Sequence, residues 1–359
     1  MNKNVQLHVN GQIYTGWTEV ELVDAIEAIC GSFSFKAINA SGKNEKFLPI
    51  TTGMPCSITY GGKLLLTGYI DDCDPDLHPD DVSITTITGR SKTCDLVDCG
   101  IESFSSFKNA SLETIIRKLC KPFGIDLKVE VETGKVFSEF KIQPGETVFE
   151  AMDRACRLRG HIIVCDNSGT LVIGEIGKNR IPVSLKEGVN IYKASLKRSV
   201  KERFSKYIVT GQDLANDSIF AKSATAIRHS VVDPLIPRYR PTVIVAESVV
   251  SKDTAKKRAE WECAIRRARS IGINCIVNGW SYDATLWEKN VTVLFQSETL
   301  GITGNSYYIT SKVTKTYNEL DGEMTDITLV PEGSFTVEPQ SDISKKDKNP
   351  FALLPPAKK

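Results

Sequence analysis

Adjacent carboxylates occur twice, at Asp71-Asp72 and Asp80-Asp81, and by type these are the residues best suited to acid-base chemistry. A glycosidase needs two carboxylates facing across a cleft, one of them in apolar surroundings that raise its pKa. Both pairs sit instead in a polar stretch, residues 71–81, punctuated by Pro75 and Pro79, where carboxylates act as solvated turn formers. Nucleophilic catalysis has no better foothold, since the chain holds no Gly-x-Ser-x-Gly elbow and no Walker-type phosphate loop. The 4 histidines (His8, His78, His161 and His229) are isolated, and none of the 10 cysteines forms a Cys-x-x-Cys pair. Metal sites need close ligand pairs, so no catalytic residue, metal ligand set or cofactor is expected. Cys156 in a helical pattern and Cys165 at the end of an apolar run read as buried, reduced thiols made in a cytoplasm.

Three segments point to binding rather than catalysis. Lys256, Lys257, Arg258, Arg266, Arg267 and Arg269 make a basic stripe on one long helix, yet Glu260 and Glu262 interleave with it. The arginines at its end favour the helix C-terminus, and the whole chain balances 45 Lys+Arg against 44 Asp+Glu, which argues against nucleic acid as the main partner. Arg238-Tyr239-Arg240 is the candidate interface, because Arg and Tyr are enriched among contact anchors; the competing reading is an extended segment packed on its own chain. Lys141-Ile-Gln-Pro-Gly-Glu-Thr147, followed by a helix and Gly160, resembles the opening of a LysM repeat and makes peptidoglycan binding an alternative. Thr147 as a helix N-cap and Glu146 as a dipole partner account for the same residues.

These segments sit on a β-rich framework. Val5 to Val9 alternates, Asn10-Gly11 is a hairpin signal, and Gly61-Gly62 marks a second hairpin between residues 56–60 and 64–70. With further strands at 19–23, 32–38 and 82–88, residues 1–92 form a small barrel or sandwich. Residues 93–178 form a compact α+β unit, with helices at 111–123 (N-cap Ser111) and 147–159. Residues 179–212 and 272–335 return to strands. Between them, 213–271 is an insertion, polar and proline-punctuated up to Tyr239, with a helix over 251–271 whose Trp261, Ala264, Ile265, Ala268 and Ile271 share a face. Residues 336–359 have no periodicity and are expected to be a tail that is disordered or orders on a partner. No apolar run follows Lys3 and no stretch of about 18 apolar residues occurs, so neither a signal peptide nor a membrane span is expected.

Residues 54–90 and 287–330 share a plan of hairpin, hydrophilic excursion and closing strand, which suggests a duplicated β domain. Two similar units per chain in a threefold oligomer would place six similar units around one axis.

An ordered set of motifs then becomes specific. It runs from Gly16-Trp17 and Ser32-Phe-Ser-Phe35 through Arg203-Phe-Ser-Lys-Tyr-Ile-Val-Thr-Gly-Gln212 and Asp233-Pro-Leu-Ile-Pro-Arg-Tyr-Arg-Pro241. Ala259-Glu-Trp-Glu-Cys263, Gly279-Trp280, Leu286-Trp287, Gly301-Ile302 and the run from Thr325 to Pro331 complete it. Over about residues 1–335 this set resembles the baseplate hub proteins of Mu-type contractile phage tails and, more distantly, the hub portion of type VI secretion spikes. The resemblance implies a virion protein assembled in the host cytoplasm, with two tube-like β-barrel domains, a small α+β domain and a helix-containing insertion. It implies a non-enzymatic homotrimer that joins the sixfold tail tube to the threefold membrane-piercing spike, with DNA passing through the ring without being read in sequence. Hub proteins can carry a lysozyme module, so a peptidoglycan-binding or cell-wall-degrading tail module is the rival reading.

Overall fold

The computed structural model describes residues 5–39, 50–76, 83–102, 106–211, 227–245 and 252–336. The chain divides into two units, one of residues 1–202 and 265–337, the other containing residues 203–264.

Asn10 and Gly11 both adopt positive φ (49° and 74°), the geometry an Asn-Gly turn requires, and so fold β1 (Val5–Val9) back on β2 (Gln12–Tyr14). β3 (Glu19–Ala25) and β4 (Ser32–Asn39) follow; Gly61-Gly62 then turns β5 (Pro55–Tyr60) into β6 (Lys63–Pro75), and β7 (Ser83–Ser91) pairs with β6 and β4. Alternation buries Val5, Leu7 and Val9 with Trp17, Phe35 and Ile58 in one core. The sequence reading ended the strand near Ile70, but β6 runs on through Pro75: a β-bulge at Asp71 absorbs one residue and the ladder with β7 resumes at Asp72. A Cβ on Gly89 of β7 would stand 2.2 Å from the Tyr69 carbonyl oxygen and 2.3 Å from the Phe33 ring, so only glycine fits there.

The α+β portion comprises α1 (Cys94–Asp98), β8 (Ser106–Ala110), α2 (Leu112–Cys120), β9 (Leu127–Val129), β10 (Phe137–Lys141), α3 (Val148–Arg157), β11 (Ile163–Cys165) and β12 (Leu171–Ile173). Ser111 caps α2 by accepting from the Thr114 N–H, and Thr147 caps α3 in a full capping box with Glu150. Leu112, Ile115 and Ile116 of α2 share one core with Ala151, Met152 and Ala155 of α3.

β13 (Asn179–Lys186) and β14 (Ile191–Arg198) come next, and the chain then enters the second unit. There β15 (Lys206–Gly211) lies between β16 (Ile227–Val232), antiparallel, and β17 (Pro241–Val245), parallel. The sequence reading had grouped β15 with the second β domain and read residues 213–239 as an excursion. β15 instead centres this separate sheet, and the excursion carries β16. Helix α4 (Lys252–Arg269) begins here, and its Ala255 and Ala259 join Val209 and Ile227 in a core. Of the expected stripe Ile265 is buried and Trp261, Ala268 and Ile271 are half-buried, but Ala264 is exposed, and Ala255, Ala259 and Cys263 at helical spacing form a buried face the pattern did not include. Small alanines let the helix approach the sheet closely, a packing feature that size-blind periodicity does not show.

Back in the first unit, β18 (Ile271–Asn278), β19 (Ser281–Tyr282), β20 (Thr285–Leu286), β21 (Val291–Ser297), β22 (Ile302–Asn318) and β23 (Gly322–Pro331) complete the chain. β1, β3, β4, β5, β6 and β7 are ordered in space as β1-β5-β6-β7-β4-β3, and β13, β14, β18, β21, β22 and β23 as β13-β21-β22-β23-β18-β14, the same permutation. Registers agree as well. At one constant offset Phe33, Ile70 and Gly89 correspond to Ile273, Thr310 and Leu329, and the bulge at Asp71 recurs at Ser311. One difference separates the halves: β1 meets β5 antiparallel, while β13 meets β21 parallel.

Neither half closes on itself among the described residues, so two separate closed barrels are not what the pairing forms. The halves instead share one 13-stranded sheet through the antiparallel pairing of β22 with β3. No helix among the described residues is long and apolar enough to cross a membrane. The expected tail, residues 336–359, lies outside the described residues except for Thr336, and so do the carboxylates Asp80 and Asp81.

Candidate assembly surfaces

The three residues singled out for an interface behave differently from one another. Arg240 is tied into its own unit: its N–H donates to Ser205 Oγ (2.8 Å), its carbonyl accepts from the Ser205 N–H (2.9 Å), and its Nε donates to the Arg203 carbonyl (3.0 Å). Its guanidinium also stands 5.2 Å from the Phe204 ring centre. Beneath this loop Arg203 donates to Asp233 Oδ2 from two nitrogens (2.6 and 3.2 Å), and Asp233, wholly buried, accepts from the Leu235 N–H with its other oxygen. Arg238 and Tyr239 are exposed, Tyr239 at 91%. The loop is thus a fixed hairpin-like clamp that presents one aromatic and one cation outward.

Of the two carboxylate pairs that suggested hydrolysis, the described one, Asp71-Asp72, is engaged in structure. Asp71 holds Arg90 (2.6 Å), Asp72 accepts from Thr88 Oγ1 (2.9 Å), and the Arg90 guanidinium also keeps Asp98 below the usual carboxylate range. Glu146 pairs with Arg154 (2.6 Å), whose hydrogen bond holds that carboxyl low, so the segment resembling a LysM opening is occupied by its own capping contacts. On α4, Lys257, Arg258 and Lys256 pair along the helix with Asp253, Glu262 and Glu260; Arg266 reaches Glu202 and Arg269 the Ser334 carbonyl. The basic stripe is largely neutralised within the chain.

The cysteines are free thiols, and burial pushes those of Cys56, Cys120, Cys156 and Cys275 up to about 12. Among the described residues no group of three or more His, Cys, Asp or Glu stands close enough to hold a metal ion.

The seam between the two β halves carries a charge cluster that sequence reasoning missed. Lys289 donates to Asp24 Oδ1 (2.6 Å) and to the Ala25 carbonyl (3.3 Å), at a cavity of about 290 Å³ that Lys315 and Glu288 also line. Burial lowers the Lys315 pKa to about 8, partly offset by Asp24 and Glu288. Trp280 enters the core of the first half beside Tyr60 (5.0 Å between ring centres) and donates to the Thr316 carbonyl, while Tyr60 Oη donates to Glu323 (2.6 Å).

Among the described residues several strands lack a second partner: β2 pairs only with β1, β13 only with β21, β14 only with β18, and the segment of β6 from Asp71 to Pro75 only with β7.

The chain is thus β-rich, with a doubled sheet and open edges, and the described carboxylates and helix cations that suggested chemistry are engaged within it. The chain belongs to the family of phage tail baseplate hub proteins of the Mu type, structural proteins of the virion tail. It is 33% identical to the baseplate hub protein gp44 of Escherichia phage Mu over 351 residues, covering 95% of this chain and 91% of that one. Residues 93–175 match the family described as baseplate hub protein gp44-like, second domain; residues 4–91 match Mu phage baseplate assembly protein GpP-like, N-terminal; and residues 203–261 match tail protein NMB1110-like, third domain. The 43 kDa tail protein of prophage MuSo2 from Shewanella oneidensis superposes with a TM-score of 0.82 at 30% identity, over 93% of this chain and 99% of that one. The E. coli c3393 protein, a component of the type VI secretion system, shares the fold at a TM-score of 0.57 and 8% identity, over 93% and 79% of the two chains. The matched families, the phage Mu relative and the MuSo2 protein are described as baseplate and tail proteins, and no catalytic family is among them.

Proposed function

We propose that the chain is the non-enzymatic hub of a contractile-tail baseplate, three copies of which form a ring between the tail tube and the central spike. The observation that carries this reading is the repeated strand order: each chain supplies two similar β halves already joined side by side through β22 and β3. Three copies give six such halves around a threefold axis, so one face of the ring matches a sixfold tube and the other a threefold spike. Tube-like character then belongs to the assembled ring, in which each open half becomes one segment of a larger closed sheet. DNA passes through the opening without being read in sequence, which agrees with the neutralised basic stripe on α4. Arg238 and Tyr239 serve as contact points for a partner, held in place by Arg240. The protein is assembled in the host cytoplasm and resides in the virion baseplate.

The test is the solution mass of the purified protein together with negative-stain images. A trimeric ring with a central hole is expected; a monomer at every concentration overturns the reading. Retention of that monomer on peptidoglycan would favour a wall-binding module instead.

A further inference from the structure

The internal joint also specifies where the next copy attaches. In the register of β22 with β3, Thr314 faces Val23 and Lys315 faces Leu22. By the shared bulge, Thr314 corresponds to Asp74 of β6; by the pairing of β3 with β4 and of β14 with β18, Val23 corresponds to Lys197 of β14. These corresponding segments, Asp72 to Pro75 and Ser195 to Arg198, both lack a second partner strand among the described residues, as β2 and β13 also do, and these two are the ones that the internal joint matches in register. We infer that β14 of one copy pairs antiparallel with the stretch of β6 beyond its bulge in the next copy, with Lys197 opposite Asp74, repeating between chains the joint that β22 and β3 make within one.

Charge supports the pairing. Asp74 and Lys197 are exposed and alternate with the core-side residues Cys73 and Leu196, so both project from the same outer face of a continued sheet. Asp72 and Asp76 then fall on the diagonals of Lys197, within reach of a long side chain. An acidic edge meeting a basic one also favours this partner over a second copy of either edge, because like edges repel. Such a contact is head-to-tail, the kind that closes into a ring when the rotation per step divides a full turn. Pro75 limits the ladder: the Asp76 N–H is directed to Ile84 on β7, which leaves the nitrogen of Pro75 on the free side without a proton to donate. Backbone pairing there is one bond poorer than at β22 with β3, and the outer-face charges make up part of the difference.

The inference rests on the ring reading and is separable from it. Association is measured by sedimentation for the native protein, Asp74→Lys, Lys197→Asp and the double exchange. Each single reversal is expected to weaken ring formation by roughly tenfold or more, and the double exchange to recover it to within about threefold. Rings unchanged by the single reversals would overturn this interface while leaving the ring itself standing. Single reversals that weaken the ring without recovery in the double exchange would also overturn it, and a monomeric native protein would remove both.

Discussion

Lys289 and Asp24 meet at 2.6 Å across the seam of the doubled sheet, with the lysine almost fully buried and the aspartate about one-third exposed. The same aspartate is the largest attractive influence on Lys315. Asp24→Asn leaves both amines without their shared counter-charge. It is expected to cost about 2 kcal/mol, below the range for a fully buried pair because water still reaches Asp24. Urea unfolding at pH 7 measures it, and Lys289→Met, which removes the charge together with its need for a partner, should cost less.

Lys315 sets a pH signature. Its folded pKa lies below that of an unfolded lysine, so the folded state binds fewer protons between about pH 8 and the ordinary lysine range, and its contribution to stability rises with pH there. Below about pH 8 the buried ammonium is a constant burden. Lys315→Met is therefore expected to stabilise the protein at pH 7 by on the order of 3 kcal/mol. The gain should shrink steadily as pH rises from 8 to 10. Paired unfolding curves of the two proteins across that range check the trend, and a gain independent of pH would contradict it.

The pair Arg203 and Asp233 anchors the second unit. Asp233→Asn leaves a buried guanidinium without a counter-charge and is expected to cost about 3–5 kcal/mol. Hydrogen exchange should show the loss first in β15 and β16, since the ion pair brackets those strands in sequence.

Tyr239 and Arg240 separate fold from contact. Tyr239→Ala should leave stability within about 0.5 kcal/mol, because its ring is in solvent, while reducing co-purification with tail components. Arg240→Ala, which removes a side-chain hydrogen bond and a cation over Phe204, should cost about 1–2 kcal/mol in thermal unfolding. Equal effects of the two changes on stability would contradict this division.

The features legible in sequence were those written locally. Asn10-Gly11 dictated its turn, Ser111 and Thr147 capped the helices they preceded, and the parallel plan of residues 54–90 and 287–330 reflected strands that do correspond. What escaped was set by distance or by irregularity. The bulge at Asp71 shifts strand parity, so the polar residues beyond it looked like a loop. Lys289 and Asp24 are far apart in the chain, and neither carries a mark of the other. Ala255 and Ala259 are too small to weigh in a hydrophobic pattern, yet they form the face of α4 that packs on the sheet. Arg238, Tyr239 and Arg240 read as one motif, and only the fold shows that one is inward and two are outward.

The joint between β22 and β3 lies within a single polypeptide, so it forms at an effective concentration set by chain connectivity and not by how much protein is present. Dilution therefore cannot separate the two halves, whereas any joint between chains dissolves when the protein is scarce. Linkage also frees the halves to diverge, since each can acquire its own loops and edge charges without imposing them on the other. An assembly with six similar segments can in this way carry a pattern that repeats only three times.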